Sequence, residues 1–232
     1  MSFNKHTDEI AITIPAFRMR KSADLGKNEI GIITIAIDAN GVSNPTPSVF
    51  TNSFFIPNVK KWTWVKFGGQ GRIVYGPKNP GSFVYYNVLF VESDQDVREF
   101  GDTLQEIFDS SEAKTIIQTL ATINPTALLI TSVVSALGKL VGKILSKNKN
   151  DLIYSTEGSF FQGTNPPYNI GDQFNTVGDH IECEIKVLPL IANNEEKNLA
   201  INGIESLVFE KTLINSELKL ELLAGVPEIV TA

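Results

Sequence analysis

The chain has 232 residues, of which 42% are hydrophobic and 20% charged, so its composition is that of a folded globular protein and excludes wholesale disorder. Its formal net charge of −6 argues against a general nucleic-acid-binding protein, because such domains usually carry a basic surplus. The single cysteine, Cys183, excludes a disulfide within the chain and a zinc site built from several cysteines.

The N-terminal residues lack the basic and then apolar order of a secretory signal. No uninterrupted apolar stretch reaches the roughly 18 residues that a membrane-spanning helix needs. A lone thiol is typical of a reducing compartment. We therefore expect a cytoplasmic protein, with non-classical export as the alternative.

The first part of the chain is predicted to form β-strands. Residues 10–14 place isoleucine at every second position, which indicates a strand with one buried face. Residues 30–37 are almost continuously apolar, which predicts a strand covered on both sides, and turn residues end it at 38–41. The Ser-, Pro-, Thr- and Asn-rich segment 42–57 predicts a long loop or a short edge strand. Residues 83–91 are the most strand-like of the chain.

Between these strands, residues 60–75 are predicted to form a hairpin with a glycine-rich turn at 68–71. This turn is not expected to bind phosphate, because strand-like residues rather than a helix follow it. Trp62 and Trp64 share one face of the first arm. A sheet normally buries such an aromatic face, so we expect both indoles to lie in the core. The alternative is an exposed ligand platform, completed by Tyr75, on which sugars stack or a protein partner anchors.

The hydrophobic period then becomes helical. Ser93 or Asp94 can cap a first helix, and a second helix begins after Ser110. A third begins with an Asn-Pro pair and is predicted at 124–146. These segments predict a unit of two or three helices at about 94–147.

The third helix carries an apolar stripe beside lysines that recur every four residues. Its large aliphatic side chains are each worth roughly 1.5–3 kcal/mol when buried, so the stripe must be covered. Three covers are open: the protein's own sheet, a membrane surface with the lysines toward the headgroups, or a partner's groove. The predicted membrane- or partner-binding residues are Leu137, Lys139, Leu140, Lys143, Ile144 and Lys147.

After the helices, strand-like alternation returns at 152–161 and 181–188, separated by a predicted loop at 163–178. Further alternation at 204–209 and 218–223 predicts two more strands.

The predicted order is a group of strands, about 50 residues of helix and a second group of strands. A parallel doubly wound sheet would instead alternate single strands with single helices. Short strands with turn-rich connections favour an antiparallel sandwich. We therefore predict a mainly β fold, with one β-sandwich domain over residues 1–232 that carries the inserted helical unit at 94–147.

Sequence signatures of catalysis, such as Gly-x-Ser-x-Gly, a phosphate loop or His-Glu-x-x-His, are missing. Cys183 is expected to be a buried structural residue, because a strand places His180, three positions away, on its opposite face.

Acidic residues at strand ends are the remaining candidates for chemistry. Carboxylates that converge can bind calcium, and they can also cap a helix or perform acid–base chemistry. A calcium site would use Asp38, Glu92, Asp94 and Asp96.

These patterns predict a non-enzymatic binding protein whose helical unit docks on a protein partner, on another copy of itself or on a membrane surface. One alternative is a membrane-active or pore-forming protein that inserts residues 124–146. The other is a carbohydrate-binding sandwich that uses Trp62 and Trp64. No nucleic-acid partner is expected, and calcium is the one cofactor considered.

Overall fold

The structure is a computed structural model and describes residues 3–22, 28–43, 47–93, 97–121, 127–147 and 150–190. The strands predicted at 204–209 and 218–223 lie outside these residues. The described strands are β1 (Glu9–Ile14), β2 (Ala16–Met19), β3 (Asn28–Asp38), β4 (Phe50–Val59), β5 (Trp64–Lys66), β6 (Arg72–Lys78), β7 (Phe83–Ser93), β8 (Asn150–Phe161), β9 (Gln173–Val177) and β10 (Ile181–Leu190). The helices are α1 (Ala39–Val42), α2 (Val97–Asp109), α3 (Ser111–Gln118) and α4 (Ala127–Lys147).

Two antiparallel sheets and a layer of helices make up the fold. The second sheet has the strand order β4-β3-β7-β8, and the first contains β1, β2, β5, β6, β9 and β10. The helices α2, α3 and α4 follow β7 and precede β8 in the chain. The predicted β-rich antiparallel fold with a helical insertion is confirmed.

The first sheet is built around a strand that bends at Pro15. β1 and β2 lie on either side of this proline, and both pair with the same edge of β10. On their other side β6 pairs with β1, while β5 pairs with β2. β9 completes the sheet on the free side of β10.

The hairpin predicted for residues 60–75 is therefore wrong. β5 and β6 do not pair with each other but follow one another along the same edge. Residues 68–71 loop out opposite Pro15, whose carbonyl accepts a 3.0 Å hydrogen bond from the Phe67 backbone N–H. Gly71 has φ +100°, and a Cβ there would lie 2.5 Å from the Ile14 carbonyl oxygen. The glycines of residues 68–71 therefore belong to a bulged loop that lies against a strand. A hairpin turn favours the same residues, so the sequence alone does not distinguish the two structures.

β3 and β7 run through the centre of the molecule and are covered on both faces. Ile30 and Ile32 of β3 face the first sheet, where their neighbours include Ile12 of β1. Ile33 and Ile35 point the other way, into a second core shared with the helices. Alternate positions of one strand therefore serve two cores, which explains the continuous apolar run and confirms the prediction for residues 30–37.

β4 takes the edge-strand alternative predicted for residues 42–57, whereas β9 occupies a segment predicted as a loop. β4 is a ten-residue edge strand within the Ser- and Pro-rich region, and it pairs with β3 over most of its length. β9 lies in the predicted loop at 163–178 and pairs with β10. In both cases pairing with an established strand outweighs the low intrinsic strand preference of the residues.

The apolar stripe of α4 packs on the protein's own second sheet. Leu137 and Leu145 are fully buried, in a core that includes Leu89 and Val91 of β7. The glycines of this helix allow the close approach, since Gly142 lies against Leu152 of β8. The cover of the apolar stripe is therefore the protein's own second sheet, one of the three covers considered above.

Candidate functional site

The surface predicted on α4 is divided by this packing. Leu137 and Leu140 are buried and Ile144 is half-buried, so the folded helix does not present them to a membrane or a partner. The exposed residues of the predicted set are Lys139, Lys143 and Lys147. Of the predicted binding residues on α4, only the row of lysines is exposed to solvent, because the leucines pack against the sheet.

α4 is nevertheless the one helix in the described ranges that is long and apolar enough to cross a membrane. The span is Leu128–Lys147, with a mean hydropathy of 1.8, and 44% of it is buried in the protein. Core helices of soluble proteins share this length and composition, and the buried stripe agrees with such a role.

Of the four acidic residues predicted for calcium, the two that the structure describes, Asp38 and Glu92, do not converge. Asp38 pairs with Val84, whereas Glu92 lies opposite Ile30, eight residues away along β3. At about 3.3 Å per residue, these two carboxylates stand about 26 Å apart. Asp94 and Asp96 lie outside the described residues. Within the described ranges, no three His, Cys, Asp or Glu side chains are grouped as a metal site.

Asp38 has a structural environment of its own. Its carboxylate accepts a 2.5 Å hydrogen bond from the Tyr75 hydroxyl and lies 2.8 Å from Lys78 Nζ. It also caps α1 by accepting the backbone N–H of Gly41. Burial and the neighbouring carboxylate raise the pKa of Tyr75 well above its ordinary value. Asp38 therefore anchors the end of β3, and Tyr75 is its buried partner.

Cys183 is fully buried in the core between the sheets. Burial raises the pKa of its thiol far above the ordinary value of 9.0, so the reactive thiolate is suppressed. His180 points elsewhere, with Nδ1 3.2 Å from the Lys21 carbonyl oxygen. The pair is not arranged as a nucleophile and its base.

The two tryptophans meet on the outer face of the first sheet. Trp62 is 54% exposed and Trp64 is partly exposed, so the expected burial of both indoles is wrong. Strand register places Trp64 opposite Arg18, which in turn is opposite Glu182. Residues directly opposite in antiparallel strands share a face, so these side chains form one row across the sheet. Tyr75 lies elsewhere and is not part of this surface.

Arginines stack on both indoles. The Arg18 guanidinium carbon lies 4.9 Å from the ring centroid of Trp64 and 5.5 Å from that of Trp62, and Arg20 lies 5.8 Å from the latter. Glu182 holds Arg18 in place, with Oε2 2.8 Å from Nε and 2.7 Å from Nη2. Each such cation–π contact contributes about 0.5–1 kcal/mol at an exposed site. The result is an ordered ladder of alternating rings and guanidinium groups.

The backbone at Trp62 is itself unusual. Its φ of +61° lies in the left-handed region, which is rare for a bulky side chain. Its backbone N–H donates a 2.7 Å hydrogen bond to the Met19 carbonyl oxygen, which holds the residue against β2. Strained backbone that the surrounding structure holds in place is typical of sites that present a side chain for use.

Further cations surround the ladder. Lys60, Lys61 and Lys66 are exposed, and Lys66 follows Trp64 on the same face of β5. We call this surface the basic aromatic patch, comprising Arg18, Arg20, Lys60, Lys61, Trp62, Trp64 and Lys66. Sequence reasoning found the tryptophans but missed the arginines, because the pairing of β2 with β5 is set only by the tertiary fold. The cluster Lys60-Lys61-Trp62 was the available local signal.

Comparisons with known proteins do not add to this description. No protein-family model matches the sequence, and no curated protein is significantly similar to it. The assignment of function therefore rests on the geometry and charge of the surfaces.

Proposed function

We propose that the protein is a non-enzymatic binding protein that docks through the basic aromatic patch on an anionic membrane surface. The observation that carries the proposal is the half-exposed indole of Trp62, held in a strained backbone and flanked by Lys60 and Lys61. Tryptophan prefers the boundary between water and lipid, where its ring enters the headgroup layer and its N–H stays hydrated. Lysine and arginine beside it are attracted to anionic headgroups.

The charges set the expected strength. In the part of the chain that the structure describes, Arg20, Lys60, Lys61 and Lys66 make no ion pair. The three lysines are exposed, whereas Arg20 is half-buried and its Nη1 donates a 2.7 Å hydrogen bond to the Gly178 carbonyl oxygen. Each cation near an anionic leaflet contributes about 1 kcal/mol, so the three exposed lysines supply about 3 kcal/mol, a millimolar affinity. Insertion of Trp62 adds to this. Binding should therefore be reversible, sensitive to salt and dependent on both charge and the indole.

The row of lysines on α4 is not part of the same contact. The helices cover one face of the second sheet and the first sheet covers the other. The exposed side of α4 and the basic aromatic patch therefore face opposite directions, and one flat membrane cannot touch both. This arrangement provides a matched control.

Flotation with vesicles tests the proposal. We expect the protein to float with phosphatidylcholine vesicles that contain phosphatidylserine, to remain soluble with phosphatidylcholine alone, and to be released by high salt. Trp62→Ala should abolish flotation. Lys60→Gln with Lys61→Gln should weaken it about 25-fold, at about fivefold for each 1 kcal/mol of lost attraction.

The control is Lys139→Gln with Lys143→Gln, which removes the same charge from α4 and should leave flotation unchanged. Equal loss in the two double variants, or no binding to anionic vesicles, would contradict the proposal. Salt-sensitive binding of an acidic protein through Lys60 and Lys61, without lipid binding, would assign the patch to a protein partner.

A pore-forming function is the second candidate, and the length and hydropathy of α4 favour it. Insertion requires the helix to leave the second sheet and expose a stripe that includes Leu137, Val141 and Leu145. Each of these side chains costs roughly 1.5–3 kcal/mol in water, so release would need a lipid environment to offset it.

An engineered disulfide separates the two candidates. A Cβ on Gly142 would lie 4.0 Å from the Leu152 Cβ, within the usual disulfide range. Gly142→Cys with Leu152→Cys should lock α4 to β8. Docking through the patch predicts no dye release from vesicles by the wild type and unchanged flotation of the locked variant. Dye release that the oxidised variant loses and the reduced variant regains would support the pore.

The carbohydrate alternative meets an obstacle in the ladder. Arg18 stands over both indoles, so a sugar ring that stacks on their inner faces has to displace a guanidinium held by Glu182. A glycan array tests it, and sugar binding that Trp62→Ala abolishes would revive this function.

A further inference from the structure

A groove follows the edge strand β4, between helix α2 on one side and Arg72 of β6 on the other. Its volume is about 710 Å³, within the range of pockets that hold small ligands. β6 closes one end, where the Asn52 side chain donates to the Ile73 carbonyl oxygen over 3.4 Å. The apolar walls are formed by Ile33, Phe54, Phe55, Phe100, Leu104 and Phe108.

The arrangement of α2 keeps this groove open. The Phe100 ring lies directly over Gly31 of β3, so the helix is seated where β3 has no side chain. Gly101 of α2 forms part of the groove wall. No atom lies within 4 Å of the position that a Cβ on Gly101 would occupy. Among the described strands, β4 is an edge strand, and none of them pairs with its free edge.

Two charged residues, Arg72 and Asp109, line this groove. Asp109 of α2 is exposed, and its Oδ1 lies 3.9 Å from Lys114 Nζ. Arg72 of β6 lines the groove, and its guanidinium carbon lies 5.5 Å from the Phe54 ring and 5.2 Å from the Phe67 ring. Its Nε is buried without a hydrogen-bond partner, and within the described ranges the side chain makes no ion pair.

Arg72 is half-buried, and its charge has no anionic partner among the described residues to offset the buried part. Burial lowers the pKa of Arg72, yet a guanidinium stays protonated in proteins, so it cannot escape the cost by becoming neutral. The two phenylalanine rings offset part of this cost but accept no hydrogen bond. A bound anion would supply both the missing charge and the missing acceptor.

We propose that the groove binds an amphipathic carboxylate, a molecule of fatty-acid type whose carboxylate pairs with Arg72 and whose apolar body lies along the aromatic wall. A carboxylate matches the planar fork of a guanidinium, which can donate two parallel hydrogen bonds to it. The chain of such a molecule meets Phe55 and Phe108, which are partly exposed, beside the buried Phe100 and Leu104. This site goes beyond the membrane docking proposed above and does not depend on it.

Calorimetric titration with decanoate, and with decanol as the uncharged counterpart, tests both parts of the site. The wild type should bind decanoate about 10- to 100-fold more tightly than decanol, the worth of a charge-assisted hydrogen-bonded pair. Arg72→Gln should remove this preference by weakening decanoate binding alone. Equal affinity for the acid and the alcohol, or an unchanged preference in Arg72→Gln, would overturn the role of Arg72.

Filling the groove tests its location. Gly101→Leu places a side chain in the open space and also improves helix propensity, so the variant should fold and lose binding of both probes. Gly163→Leu, at a loop position with equally open space, is the matched control and should bind as the wild type does. Retained binding in Gly101→Leu would overturn the assignment.

A cross-check keeps this site separate from the membrane proposal. Arg20 lies in the basic aromatic patch, so Arg20→Gln should weaken flotation with anionic vesicles. The same variant should bind decanoate with unchanged affinity. Arg72→Gln should do the reverse. Loss of decanoate binding in Arg20→Gln would overturn the groove as the binding site.

Discussion

At the scale of single residues, side chains of the same chemical type have very different roles. Arg18 is paired with Glu182 and stacked between indoles, whereas Arg72 is half-buried and has no ion-pair partner among the residues that the structure describes. Asp38 is used fully by Tyr75, Lys78 and α1. Tertiary neighbours, rather than residue type, decide which charged groups remain available to a ligand.

Cys183 gives a prediction at this scale. The native state keeps the thiol neutral because burial raises its pKa, whereas the unfolded chain loses the proton above its ordinary pKa of 9.0. The unfolded state therefore binds fewer protons in alkali, and the free energy of unfolding should fall as pH rises above about 9, by up to about 1.4 kcal/mol per pH unit.

Urea denaturation between about pH 8 and 10 checks this result, with Cys183→Ala as the comparison. The variant should be less stable at pH 8 because of its cavity, and the difference from the wild type should narrow as pH rises. If the free energies of unfolding of the two proteins fell in parallel with pH, the result would contradict the role given to the buried Cys183 thiol. Tyr86, whose pKa burial raises to about 12, contributes a similar loss only above pH 10.

At the scale of elements, the edge formed by β5 and β6 shows what periodicity can predict. The alternation of apolar residues correctly indicated strands on both sides of the glycine-rich segment. Whether two strands fold back on each other or continue past a loop depends on which partner they find. Here β6 pairs with β1 and β5 pairs with β2. Pro15 separates β1 from β2, and the loop between β5 and β6 lies opposite this proline.

The loop can be tested with a pair of glycine variants. Gly71→Ala forces a side chain into left-handed backbone and toward the Ile14 carbonyl oxygen, so we expect a loss of about 1–3 kcal/mol in the free energy of unfolding. Gly68→Ala meets no atom within 4 Å and should stay within about 0.5 kcal/mol of the wild type. Thermal or urea unfolding measures both, and similar losses in the two variants would contradict the bulged loop.

At the scale of the whole molecule, three layers share the central second sheet. Its one face packs on the first sheet and its other face on α2, α3 and α4. Because β3 and β7 contribute to both cores, the helical layer is an integral part of the fold rather than a projecting arm. Surfaces that remain accessible in the part of the chain that the structure describes include the outer face of the first sheet, the lysine side of α4 and the groove beside β4.

The packing of α4 predicts unequal effects for neighbouring residues. Leu137→Ala should cost about 2–5 kcal/mol in the free energy of unfolding, because the side chain is fully buried and leaves a cavity. Lys139→Ala, two residues away and exposed, should change it by less than about 0.5 kcal/mol. Urea denaturation checks both. A Leu137→Ala protein as stable as the wild type would show that the stripe lies outside the core in solution.

The sequence by itself indicated the β-rich class, the helical segment between two groups of strands, and the presence of an apolar stripe that needed a cover. These are local properties, since strand and helix periods are written in neighbouring residues. Only the tertiary structure decided that the cover is the protein's own sheet, that β5 and β6 share an edge, and that Arg18 meets Trp62 and Trp64. Such contacts join residues far apart in the chain, and their register and partners follow from how the layers pack.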